Sequence, residues 1–189
     1  LRYILAVLLY LLGAQGAMAS DCSKAPFCET RAYFTDWLAA CRPGEPRYCS
    51  INTYVHNQAA PAGIDYQLRV ARPAPDAGLH ISLIAVERFA TTSKEMIFDI
   101  PGEANLVVAP EKLSTPDSIN EYMVKDPAIV AELVDAMKKG YTLAIRFTDE
   151  EGNPASAHFS LMGFTLALSF IDEEAGVTPP ARQARSEAN

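Results

Sequence analysis

Alternation of apolar and polar side chains at a period of two dominates the middle of this chain. Tyr66, Leu68 and Val70 alternate with Gln67, Arg69 and Ala71, the pattern of a strand with one buried face. Residues 80–86 are apolar on both faces for part of their length, which predicts a central strand. Residues 33–41 and 48–56 predict two strands joined by the turn Arg42-Pro43-Gly44-Glu45-Pro46. Short strands are predicted at 96–100 and 106–109, separated by Pro101-Gly102. Further on, Tyr141, Leu143, Ile145 and Phe147 point one way, and Thr142, Ala144, Arg146 and Thr148 the other. After a turn at 149–154, Ala157, Phe159 and Leu161 return on the core face, with Ser156, His158 and Ser160 outward.

The period changes to that of a helix after Asp126, an N-cap followed by Pro127 in the first turn. Ile129, Val130, Leu133, Val134 and Met137 share one face. Lys138 and Lys139 suit the negative C-terminal end, and Gly140 reads as the stop. Beyond Ser160 two readings stand. Leu161, Phe164, Thr165 and Leu168 line a helical face that ends near Asp172. Phe164, Leu166, Leu168 and Phe170 also alternate as a strand, with Gly163 allowing a bend.

The ends differ from this middle. Arg2, an apolar run over residues 4–12 and Ala17-Met18-Ala19 read as a secretory signal peptide at residues 1–19, expected to be cut before Ser20. The run is too short for the ~20 apolar residues of a spanning helix, so no transmembrane anchor is expected after cleavage. The expected organisation continues with a disulfide-bearing segment at 20–32 and one β domain at 33–175. A polar, Pro-containing tail at 176–189 is expected to be disordered.

Charge narrows the partners. The chain holds 16 basic and 23 acidic residues, net −7, and the leader carries one basic residue and no acidic one. No Lys/Arg cluster stands out, so nucleic acid is not an expected partner. The four cysteines, Cys22, Cys28, Cys41 and Cys49, all follow the cleavage site. An even number in an exported chain suggests two disulfides. The turn at 42–46 favours Cys41–Cys49, leaving Cys22–Cys28. Their spacings match no zinc knuckle, and no C-x-x-C suggests redox catalysis.

His158 and Ser160 lie two apart on one face and look catalytic in linear sequence. The simpler reading is the solvent face of a strand. Ser160 sits in H-F-S-L-M-G, without the flanking glycines of a nucleophile elbow. The remaining histidines, His56 and His80, lie on other predicted strands. No catalytic, cofactor or metal residue is assigned, and Trp37, the single tryptophan, reads as a core plug.

Two separated signatures add to this reading. A helix ending in glycine, a strand, a Gly-containing turn and a strand running into Ser160-Leu161-Met162-Gly163-Phe164 form the first. Trp37 shortly before Cys41, with Cys49 opening the next strand, forms the second. Together they resemble the invasion-associated locus B family, exported proteins of Gram-negative bacteria, over residues 33–171. Family members often carry a second cysteine pair before the helix. Here residues 113–126 have none, and the extra cysteines are Cys22 and Cys28. The resemblance implies a mostly β, immunoglobulin-like β-sandwich with one or two short helices. It places the protein in the periplasm, with outer-membrane association or secretion as variants, and links some members to host-cell invasion. It carries over no catalytic residues. The expected function is a non-enzymatic interaction protein with a partner in the cell envelope or host. A small-ligand-binding or enzyme-inhibitor domain is the alternative, using loops such as 87–94 or 110–118, and a hydrolase the third reading.

Overall fold

The computed structural model describes residues 29–57, 63–86, 88–115 and 120–177. The signal peptide, Cys22, Cys28 and the tail beyond Val177 lie outside them. In chain order the described residues form β1 (Thr30–Phe34), β2 (Trp37–Cys41), β3 (Cys49–His56), β4 (Ile64–Arg72) and β5 (His80–Ala85). They continue with β6 (Met96–Ile100), β7 (Ala104–Val108), β8 (Leu113–Ser114), β9 (Glu121–Val124) and α1 (Pro127–Met137). The last elements are β10 (Thr142–Thr148), β11 (Pro154–Ser160) and α2 (Phe164–Glu174).

Two antiparallel sheets face each other, in the orders β1-β2-β3-β4-β5-β9-β8 and β11-β10-β6-β7. Their inner faces supply the core. Trp37, Ile51, Leu68, Val70, Ile81 and Leu83 come from the larger sheet, and Met96, Phe98, Ile100, Leu143, Ile145 and Phe159 from the smaller. Every one of these positions lies on the buried parity of its strand, which is why the period-two pattern identified them. The mostly β sandwich with two helices is therefore present, and β5 is central, between β4 and β9.

Several expectations are corrected. The run at 33–41 is not one strand. Thr35 adopts φ +53°, and Thr35-Asp36 turns the chain into a β1–β2 hairpin that pairs Phe34 with Trp37. Thr30, Arg31 and Ala32, placed above in the leading segment, belong to β1 and lie in the sheet. The strand expected at 106–109 starts two residues earlier, at Ala104. Tyr141 precedes β10 and is 76% exposed rather than core. Asp126 does cap α1, its carboxylate accepting the Ala128 N–H at 3.0 Å. Gly140, however, is not a left-handed stop, since its φ is not among the positive ones. It is a close-approach glycine: a Cβ there would lie 2.4 Å from Ile100 Cγ2. The open question beyond Ser160 resolves as a helix, α2, which buries Phe164, Ala167, Leu168 and Ile171, with Thr165 outward. Gly176 at φ +75° closes α2, with the Val177 N–H bonded to the Asp172 carbonyl.

Cys41 and Cys49 face each other across β2 and β3 and are bonded. The bridge closes a short loop, for which loss of chain entropy gives about 2–3 kcal/mol. Replacing both cysteines with alanine is expected to lower stability by that amount in denaturant titrations. No change, or peptide mapping that joins Cys41 to Cys22 or Cys28, would reject this bridge.

The β10–β11 turn is held by Asp149, which is buried. Its carboxylate pairs with Arg88 and accepts the Asn153 N–H at 2.8 Å and the Glu151 N–H at 3.1 Å. The Arg88 hydrogen bond, helped by the backbone donors and opposed by burial, holds this carboxyl below the usual aspartate range. A depressed folded value contributes stability that is complete above the unfolded value and is lost as pH falls through the folded one. The melting temperature of the wild type is thus expected to exceed that of Asp149→Asn at neutral pH. The two should converge below about pH 4. A constant gap across that range in melts at stepped pH would refute this.

Candidate functional site

The two sequence signatures meet in space. The Trp37 indole is fully buried, and its Nε1–H donates to the Ser160 carbonyl at 3.1 Å. Its ring meets the Phe164 ring edge-on, with centroids 5.1 Å apart. Asp36 N–H donates to the Met162 carbonyl at 3.3 Å, and Ser160 Oγ accepts the Met162 N–H at 3.2 Å. Gly163, at φ +93°, lies so close to the β1–β2 turn that a Cβ would sit 2.0 Å from the Phe34 carbonyl oxygen. The segment after β11 is thereby latched onto the hairpin before β2, and α2 fills the end of the sandwich behind it.

Beside this latch a cleft of about 650 Å³ opens between the sheets. The β1–β2 turn gives Tyr33, Thr35 and Asp36, the far half of β3 gives Tyr54 and His56, and β11 gives His158 and Ser160. Of the three histidines, His56 and His158 thus share one cleft that the linear sequence did not join, whereas His80 lies at the start of β5, away from it. Next along β11, Ser156 Oγ and His158 Nε2 are 3.2 Å apart. The Tyr54 ring lies tilted against His56, centroids 6.3 Å apart. Burial raises the Tyr54 phenol above its ordinary value, with the Arg69 charge opposing, so it is a neutral hydrogen-bonding group at physiological pH.

A nucleophile–base pair needs a third group to orient the base. Among the described residues no carboxylate is hydrogen-bonded to His158, and Ser160 Oγ is committed to the Met162 N–H. Nor do the described residues contain a cluster of three His, Cys, Asp or Glu suited to a metal.

The outer face of the larger sheet continues from the cleft as a polar strip. Gln67 Nε2 donates to Asn52 Oδ1 at 2.6 Å, and Asn52 Nδ2 to Ser50 Oγ at 3.2 Å. Ser50 and Asn52 are buried although their strand parity points outward. Sequence reading missed Tyr33, Asp36, Tyr54 and His56 as neighbours of His158. The available signal was Thr35-Asp36, a turn-forming pair hidden inside an otherwise strand-like run.

No protein-family model matches the sequence, and no curated protein matches it. In three dimensions it is similar to the crystal structure of invasion associated protein B from Bartonella henselae, with a TM-score of 0.57 and 16% sequence identity. The superposition covers 78% of this chain and 99% of that one. The described sandwich therefore has the fold of invasion associated protein B over nearly that protein's whole length.

Proposed function

We propose that the protein is an exported, non-catalytic interaction domain of the invasion-associated locus B type, a divergent member that works in the periplasm on a protein partner of the cell envelope or a host. The observation that carries this reading is the fold likeness just described, which extends over the whole of the neighbouring protein. The Cys41–Cys49 bridge supports an oxidising compartment. No helix of the described residues is long and apolar enough to cross a membrane, in keeping with release after leader cleavage.

The test combines location and chemistry. The mature protein should be recovered from the periplasm beginning at Ser20, with Cys41–Cys49 oxidised, and should crosslink there to a reproducible partner. It should leave ester, peptide and glycoside substrates unchanged. Cytosolic protein still beginning at Leu1 would overturn the export. Hydrolysis that disappears in Ser160→Ala or His158→Ala would overturn the non-catalytic reading in favour of a hydrolase.

A further inference from the structure

Backbone direction, more than side-chain identity, distinguishes the cleft. The Leu161 N–H donates to the Tyr141 carbonyl at 2.9 Å. In an antiparallel ladder, the groups that face a given neighbour alternate along the strand. Ala157 and Phe159 therefore turn their N–H and C=O groups toward β10, while Ser156, His158 and Ser160 turn theirs away. On that side β11 has no strand neighbour among the described residues, and it ends its sheet. Among the described residues only the Ser160 carbonyl is taken, by the Trp37 indole.

The opposite wall repeats the situation. The Arg42 N–H bonds to the Tyr48 carbonyl at 2.9 Å, so Ser50, Asn52, Tyr54 and His56 direct their backbone groups to the β2 side. The β2–β3 ladder stops at Leu38 opposite Asn52. Tyr54 and His56 run past it and meet no described strand on that side. Two open edges, one from each sheet, thus line a single cleft.

The other sheet ends are guarded. β8 has two residues. β7 is packed by α1 and β1 by α2, while β11 touches β3 across the cleft. β1 also carries Arg31, ion-paired with Glu29. Short edges, charges and covering helices are the usual defences against strand addition. β11, with the sequence PASAHFS, has no Asp, Glu, Lys or Arg, and only its first residue is proline.

We propose that this cleft takes up an extended segment of another polypeptide, which pairs its backbone with the free edge of β11 and carries a basic side chain beside Asp36. Main-chain pairing supplies affinity in this mode, and alternate side chains supply specificity. Asp36 is the one Asp, Glu, Lys or Arg on the cleft wall among the described residues, on a chain of net charge −7, so the cleft favours a basic segment. The proposal rests on the interaction-domain reading above and adds its site and recognition mode.

The probe is a phage-displayed library of short random peptides selected on the full mature chain, with the best peptide then synthesised. His158→Pro is the informative variant. It deletes an N–H that points away from β10, so the internal ladder keeps its bonds, and proline is tolerated on edge strands. Thermal melts check its fold, and Ser156→Pro serves the same purpose if it is unstable. Peptide affinity is expected to drop about tenfold or more in the proline variant, because a partner carbonyl is left unpaired. It should persist in His158→Ala, weaken in Asp36→Asn, and be lost when alternate amides of the peptide are N-methylated.

Failure to select any peptide, or equal binding to wild type and the folded proline variant, would overturn the proposal. Self-association abolished by His158→Pro would assign the edge to a second copy of this chain instead. Slow amide exchange at Ser156 and His158 in dilute free protein would assign it to the chain's own terminal residues. If the periplasmic partner crosslinks equally to His158→Pro, the interaction reading survives and only this site falls.

Discussion

Gly163→Ala is expected to abolish the native fold at growth temperature, or to lower stability by about 3–5 kcal/mol where folding persists. Two independent penalties add at this residue. Its φ of +93° lies in the region that a side chain disfavours. The added Cβ would also meet the Phe34 carbonyl oxygen at 2.0 Å and its carbon at 2.7 Å. Both are backbone atoms, so the clash is relieved only by moving the β1–β2 hairpin or releasing α2. The comparison is with Gly152→Ala, also at positive φ but with nothing near its Cβ. The second variant should show only the conformational penalty, about 1–3 kcal/mol. Denaturant midpoints that fall equally for the two would show that the close approach to Phe34 has no energetic weight.

Phe164→Ala should cost about 3–5 kcal/mol, the usual range for deleting a buried aromatic side chain. Phe164 is fully buried at the first turn of α2 and braces the Trp37 indole. Truncation leaves a cavity beneath the Trp37 indole. Edge-on ring contact adds about 0.5–1.5 kcal/mol beyond burial, so a double-mutant cycle with Trp37→Leu should return a coupling of that size. His158→Ala, on the exposed face of β11, should change stability by less than about 0.5 kcal/mol. The structural reading of this stretch fails if Phe164→Ala melts like wild type.

The parts of the fold that were legible in the sequence share one property: a single buried face that imposes its period. β4, β10, β11 and α1 were readable for that reason, and so was the Cys41–Cys49 bridge, because a Pro/Gly turn announces a hairpin. α2 was ambiguous because Phe164, Leu166, Leu168 and Phe170 satisfy both periods. Packing against Trp37 decides between them, and that contact spans 123 residues of sequence in the accompanying hydrogen bond. Gly140 looked like a helix stop, but proximity to Ile100 in another strand is what requires it. The cleft was illegible for a further reason. It is defined by where β2 ends relative to β3, and hydrophobic pattern does not encode strand overlap.

The latch also fixes the order in which the chain can mature. Trp37 leaves the ribosome long before Ser160 and Phe164 do. Until those residues emerge its indole cannot be buried with its N–H on the Ser160 carbonyl, and the end of the sandwich has no lid. Contacts so distant in sequence form slowly, and the nascent N-terminal half presents unpaired edges and apolar surface in the meantime. A chain clipped within α2 would retain every described strand and still lack the helix that closes the end of the sandwich. Quality control that recognises exposed apolar surface would treat such a fragment as unfolded.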